Sequence, residues 1–332
     1  MNKYNYIVLG SDWDLYKFSY SDLYSLSNAK YIAGNFPPKK SLKGILYRVH
    51  FNQKINSIIN IPFKRFWNHT YFNVDFAENK QLCFIIFPNW VSLDIGIADY
   101  LRKTYKDCKV VLMFQDLVST KRMRYTNAPY DINKIKKQFD LIISFDQNDC
   151  AKYGFEYHPL VFSSYNGQLQ EMPYSDIYML AQAKNRLGDI LDIYEELRDT
   201  GLKIDFHIAG VKKQDRKYSD EIHYIDGKGL TYAENIQHIL HTKCILEIMQ
   251  KNGAGFTQRG CEAVCLGKKL LTNNEFIKSE PFFRSDYIST FKHPKDIDMD
   301  FLKHISDNVD VDFNYKEKMS PIELLDFIEK RI

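Results

Sequence analysis

The sequence predicts an α/β protein made of two successive doubly wound domains. Apolar runs of strand length recur in both halves of the chain, and amphipathic helical segments alternate with them. One polar stretch containing Gly and Pro breaks the alternation near the middle. Apolar runs without polar alternation suit parallel strands covered on both faces, and strands alternating with helices suit a layered sheet. A chain of 332 residues is long for one such core and comfortable for two.

In chain order, Tyr6–Leu9 reads as a short buried strand ending at Gly10. Leu82–Phe87, Val110–Phe114 and Leu141–Phe145 are apolar strands, with helices expected over Leu93–Lys106 and Ile132–Phe139 between them. Ser163–Pro173, polar with one Gly and a closing Pro, reads as the linker. The rhythm restarts with a strand at Asp176–Ala181. The helix Arg186–Thr200 follows, with Leu187, Ile190, Leu191, Tyr194 and Leu197 on one stripe. Strands are expected at Lys203–Ala209, His223–Ile225, Cys244–Ile248 and Lys269–Thr272, and helices at Tyr232–His241, Thr257–Leu266 and Pro321–Ile332. The domains are assigned to residues 1–165 and 174–320, with a terminal helix over 321–332.

Composition narrows the function classes. A formal charge of +3 argues against a nucleic-acid partner. The N-terminus lacks a signal-peptide core, and the apolar runs are strand-sized, so no membrane span is expected. Six cysteines without a C-x-x-C pattern suit reduced thiols in the cytoplasm. Neither a P-loop nor a G-x-G-x-x-G fingerprint is present. No metal ligand set is expected. Asp12-x-Asp14 stands too near the N-terminus, Asp298-x-Asp300 and Asp310-x-Asp312 lie in polar acidic segments, and His238, His241 and Cys244 are poorly spaced. Asn68-His69-Thr70 is a formal glycosylation sequence that a cytoplasmic protein would not use.

The segment from Gly253 to Asn273 carries the functional argument. It reads as glycine loop, helix and strand. Gly253 and Gly255 would let the backbone approach a ligand, and the helix start would present unpaired N–H groups to a phosphate. Thr257 can cap that helix. Arg259 opposes the helix dipole unless it meets an anion, and the Glu262 carboxylate could accept both hydroxyls of a ribose. Lys184 and Arg186, at the end of the first strand of the second domain, are candidates for the same anion. In the first domain, Asp12 or Asp14 is a candidate base beside Trp13, with Asp116 as rival.

Gly255-Phe256, Glu262-Ala263 and Gly267 have the spacing G-F-x5-E-A-x3-G. This resembles the donor-binding segment of GT-B glycosyltransferases of the group 1 type and of bacterial capsule and lipopolysaccharide transferases. The resemblance implies the GT-B build, two Rossmann-like domains facing each other across a cleft. It further implies a nucleotide-diphosphate sugar as donor substrate, no separate cofactor, and Glu262 at the donor ribose. Gly255, Phe256, Thr257 and Arg259 would line the donor, Lys184 and Arg186 its diphosphate, and Gly229 and Thr231 its base. Retaining members carry an acidic residue just before the Gly-Phe, where this chain has Ala254. A nucleotide-sugar epimerase or hydrolase, and a non-catalytic sugar-nucleotide-binding partner of another transferase, are the alternatives.

Between Leu23 and Val74 there is no Asp or Glu, while Lys30, Lys39, Lys40, Lys43, Arg48, Lys54, Lys64 and Arg65 fall there. Leu42, Ile45, Leu46 and Val49 make a helical stripe among these cations. Cations beside apolar and aromatic residues suit an anionic membrane surface. A peripheral position at the inner face of the membrane, with a saccharide or lipid-linked acceptor in cell-envelope polysaccharide synthesis, is the expectation.

Overall fold

The computed structural model describes residues 3–33, 40–59, 61–64, 66–67, 74–93, 96–123, 127–227, 229–249, 255–306 and 311–332. Lys39, Arg65, Asn68-His69-Thr70, Lys228, Gly253, Ala254 and Asp310 lie outside them. The chain divides into two compact units, Met1–Ser163 with Ser320–Ile332, and Ser164–Met319.

The first unit holds a parallel sheet of six strands. These are β1 (Tyr4–Leu9), β2 (Ala29–Ile32), β3 (Gln81–Ile86), β4 (Lys109–Met113), β5 (Leu141–Ser144) and β6 (Glu156–Tyr157), in the order β2-β1-β3-β4-β5-β6. Every residue of β1 is buried, which is why an apolar run without alternation builds it. Sequence reading anticipated four of these strands. β2 and β6 sit at the two edges, and each is too short to show a period. The helices are α1 (Asp14–Ser19), α2 (Leu42–His50), α3 (Gln53–Ile58), α4 (Pro88–Leu93), α5 (Ile97–Thr104), α6 (Ile132–Lys136) and α7 (Gln147–Tyr153). The helix expected over Leu93–Lys106 is α5, which starts later, at Ile97 with Gly96 as its N-cap, and α4 before it was not anticipated.

In α2 the buried positions are Gly44 and Tyr47, and the stripe of Leu42, Ile45, Leu46 and Val49 faces solvent. Tyr47, Phe51 and Trp67 form a small aromatic core, with ring centroids 4.4 Å apart for Tyr47–Phe51 and 5.3 Å for Tyr47–Trp67. Aromatic rings bury more area than the aliphatic stripe, so they set the helix's inward face.

The second unit holds β7 (Ser175–Gln182), β8 (Ile204–Ala209), β9 (His223–Ile225), β10 (Thr242–Glu247), β11 (Lys269–Thr272) and β12 (Ile288–Thr290). All pair in parallel, in the order β12-β11-β10-β7-β8-β9. The helices are α8 (Leu187–Arg198), α9 (Tyr232–Leu240), α10 (Gln258–Cys265) and α11 (Met299–Lys303). Five of the six strands were legible, and β12 is a three-residue edge. On α8 the stripe buries Ile190, Leu191, Tyr194 and Leu197 together with Ile193. The six cysteines are free thiols. The last helix, α12 (Pro321–Glu329), rejoins the first unit, where Leu324, Leu325 and Ile328 enter the core. No helix among the described residues is long and apolar enough to cross a membrane.

Candidate functional site

In both sheets the first strand in the chain has later strands on both of its sides. In the second unit β7 is followed by β8 and β9 on one side and by β10, β11 and β12 on the other. The carboxyl ends of β7 and β10 therefore flank a switch point, where open α/β sheets place their ligands. Arg186 follows β7. Its guanidinium crosses that gap, donating to the carbonyl of Ile248 just past β10, and to the Gln182 carbonyl at 2.7 Å. Its Nε is buried without a partner. Lys184, nearby, is exposed and holds a left-handed φ of 44°. Arg186 also lines a cleft of about 510 Å³ with Asp189, Asn273, Asn274 and Phe276.

At the end of β10 stands Glu247, a site residue that sequence reading passed over. It is buried, and Thr272, its register partner on β11, donates to it at 2.6 Å. Thr257, which caps α10, donates to its other oxygen. Burial pushes the Glu247 carboxyl up to about 7, helped by Glu262, while the Thr272 hydrogen bond, Arg259 and Arg186 oppose the rise. Arg186 and Arg259 thus meet electrostatically around Glu247. Its sequence signal was a carboxylate inside the otherwise apolar run Cys244–Met249.

Glu262 lies one turn into α10 and is fully buried. Its Oε1 accepts from the Tyr232 hydroxyl at 2.9 Å and from the Asn235 amide at 3.3 Å, and its Oε2 pairs with Arg259. Asn235 accepts from Arg259 at 3.1 Å and from the Tyr178 hydroxyl at 3.0 Å. Gln258 donates to Tyr232 at 3.2 Å. Burial pushes the Glu262 carboxyl up, and Arg259, Tyr232 and Asn235 hold it back. The expected reason for a cation in the first turn is therefore met within the protein, because Arg259 faces Glu262.

The remaining positions have local duties. Gly255 accepts at its carbonyl from Asn274 at 3.1 Å. Phe256 is buried against Phe282, with centroids 4.7 Å apart, and a Cβ on Gly260 would lie 2.1 Å from its ring. Thr231 caps α9 through a capping box with Glu234. A Cβ on Gly229 would meet only ordinary contact with Ile225. In the first unit, Asp12 pairs with Lys17 at 2.8 Å, Asp14 lies 3.8 Å from the same Lys17, and Asp116 pairs with Lys121. Asp12 and Asp14 follow β1, which occupies the switch position of that sheet. There Gly10 accepts from Trp90 at 2.8 Å. Trp13 is exposed and stacks on Tyr16. His241 donates from Nδ1 to the Gln237 carbonyl at 2.8 Å and packs on Tyr174.

No protein-family model and no curated protein sequence matches the chain. In fold it is similar to trehalose-6-phosphate from E. coli bound with UDP-2-fluoro glucose, at 10% identity over 98% of this chain and 96% of that one, TM-score 0.49. It is similar to an alpha-glucosyltransferase in complex with UDP-glucose and DNA containing an abasic site, at 12% identity over 98% and 92%, TM-score 0.48. It is also similar to the lipopolysaccharide outer core galactosyltransferase WaaB in its apo form, at 12% identity over 98% of both chains, TM-score 0.46. At these identities and TM-scores the similarity is one of outline and transfers no activity.

Proposed function

We propose that the chain is a glycosyltransferase of GT-B build that takes its sugar from a nucleoside diphosphate held by the second unit. The observation that carries this reading is the segment Gly255–Gly267, which folds as a loop and capped helix at the carboxyl edge of a parallel sheet, beside its switch point. Glu262 would accept the ribose hydroxyls in exchange for bonds it now receives from Tyr232, Asn235 and Arg259, which hold it fully buried. Lys184 and Arg186 would face the diphosphate. As the bond from the anomeric carbon to phosphate breaks, the leaving diphosphate takes the electron pair, and fixed cations lower that barrier. The acceptor hydroxyl forms the new bond and gives its proton to a carboxylate among Asp12, Asp14 and Asp116. No metal is assigned to this step.

Calorimetry with nucleoside diphosphates tests the reading. Binding by the parent protein that weakens about tenfold or more in Arg186→Ala and in Glu262→Gln supports it, at roughly 1.5–3 kcal/mol per charged hydrogen bond. Unchanged affinity in both folded variants removes it. A reading as a binding protein without transfer is favoured by Ala254, which stands where the resembled segment carries an acid. Release of nucleoside diphosphate only when acceptor is added separates transfer from hydrolysis and from binding alone.

The acceptor is proposed to be saccharide or lipid-linked, met at the inner face of a membrane in envelope polysaccharide synthesis. Support comes from α2, α3 and the segment after them. Leu42 is 74% exposed, Ile58 83% and Phe63 82%, with Ile45, Leu46, Val49, Ile59 and Phe66 also exposed beside Lys40 and Lys43. A patch of this kind suits burial at the headgroup boundary of an anionic bilayer. Sedimentation with anionic vesicles that falls at high salt and is lost in a Lys40→Gln, Lys43→Gln, Leu42→Ser, Ile58→Ser variant is expected. Failure of the parent protein to sediment at low salt overturns it.

A further inference from the structure

A second polar cluster lies beneath α9, on a face of the second sheet where a parallel sheet covered by helices normally carries aliphatic side chains. Asp205 and His207 project from β8 to that face, two residues apart. His223 is the register partner of His207 on β9, and His238 comes down from α9. Asp205 Oδ1 lies 2.7 Å from His207 Nε2, and Asp205 Oδ2 lies 2.7 Å from His238 Nδ1. The donor atoms of these three residues all fall within 4.8 Å of one another. His223 stacks on His207, and its Nε2 stands 4.0 Å from Asp205 Oδ1. Three of the nine histidines of the chain therefore converge on one carboxylate.

We infer that Asp205, His207 and His238 bind one divalent transition-metal ion of the zinc class, with His223 as a fourth ligand on the solvent side. Imidazole nitrogens with one carboxylate oxygen are a borderline donor set, which zinc, nickel and copper prefer to calcium or magnesium. Tetrahedral coordination with bonds of 2.0–2.2 Å sets ligand atoms about 3.4 Å apart. The present spans run from 2.7 Å to at most 4.8 Å, so changes of about an ångström convert hydrogen bonds into coordination. His207 and His238 are largely buried, whereas His223 is 68% exposed, which gives an ion a way in. Desolvating several imidazoles and a carboxylate under a helix is costly, and an ion held by all of them offsets that cost.

The ion would tie α9 to β8 and β9. The same helix carries Tyr232 and Asn235, which hold Glu262, and Tyr178 stacks on His238 at 5.2 Å while donating to Asn235. The role assigned to the ion is to position α9. It stands whether or not a nucleotide sugar binds nearby.

The tag-free full chain, stripped with chelator and titrated with Zn²⁺, should bind about one ion, with a raised Tm. In His207→Gln and in His238→Gln the affinity should fall about tenfold or more, since even outer partners of metal ligands contribute 10–100-fold. The exposed His223→Gln should weaken binding less, and His304→Gln, remote in sequence and exposed, should leave it unchanged. A parent protein that retains no zinc, or a His207→Gln, His238→Gln double variant that binds with unchanged stoichiometry and affinity, overturns the inference. Should those variants fail to fold, Co²⁺ on the parent protein decides. Paramagnetic broadening confined to His207, His238 and His223 supports the site, and broadening of other imidazoles or of none refutes it.

Discussion

Replacing Glu247 with Gln should make the protein more stable, and the gain should depend on pH. The folded carboxyl is pushed from 4.5 to about 7 by burial, so the fold prefers the neutral form. The native state therefore binds more protons than the unfolded chain between those two values, and stability falls as pH rises through that window. At about 1.4 kcal/mol per tenfold change, the penalty is about 1 kcal/mol at pH 5 and about 3 kcal/mol at pH 8. Gln is neutral throughout and keeps the shape. Its amide can donate to one of the hydroxyls of Thr257 and Thr272 and accept from the other, replacing bonds that both now donate. Urea unfolding of parent and variant at pH 5, 6, 7 and 8 measures this, and the difference at each pH removes most other titrating groups. A difference that grows by about 2 kcal/mol from pH 5 to pH 8 is expected. A difference constant with pH would show that Glu247 titrates normally and that its burial costs nothing.

Three further outcomes follow from particular contacts. Glu262→Ala leaves the partly buried Arg259 without its carboxylate, with only Asn235 still accepting from it, and should cost roughly 1–3 kcal/mol by urea unfolding, while Glu262→Gln, which keeps the bonds to Tyr232 and Asn235, should cost clearly less; equal losses would refute the pairing. Gly267→Ala should destabilise by about 1–3 kcal/mol, because Gly267 has φ +62° and a Cβ there would lie 2.8 Å from the Val311 carbonyl oxygen; an unchanged Tm would count against that geometry. Thr231→Ala removes the α9 capping box and should cost about 1 kcal/mol, and Thr231→Ser should restore most of it, whereas a loss that Ser does not restore would point away from capping.

The central strands were legible because parallel strands sandwiched by helices leave no polar alternation. β1, β3, β4 and β5 are apolar almost throughout, and runs this short have a strand's length rather than a helix's. The edge strands β2, β6 and β12 were not legible, because two to four half-covered residues carry no period. α2 shows a different limit. Its aliphatic stripe was visible, but which face turned inward depended on Tyr47 and Phe51 meeting Trp67, a contact no local window contains. Glu262 and Arg259 were both picked out as site residues, yet their mutual pairing rests on Asn235 and Tyr232, contributed by α9 some 30 residues earlier. Asp205 and His207 were not singled out in the strand Lys203–Ala209, because only the packing of α9 brings His238 to them.

The position of α12 bears on how the chain folds as it is made. Its Leu324, Leu325 and Ile328 complete the core of the first unit, and Glu329 accepts from the Tyr6 hydroxyl of β1 at 2.6 Å. The second unit is one uninterrupted stretch, Ser164–Met319, inserted between the two pieces of the first. Vectorial synthesis ordinarily lets the domain nearest the N-terminus fold first. Here the order of completion is reversed: every residue of the second unit is synthesised before the closing helix of the first. A chain truncated just before α12 should therefore carry a protease-resistant second unit and a first unit still open to cleavage.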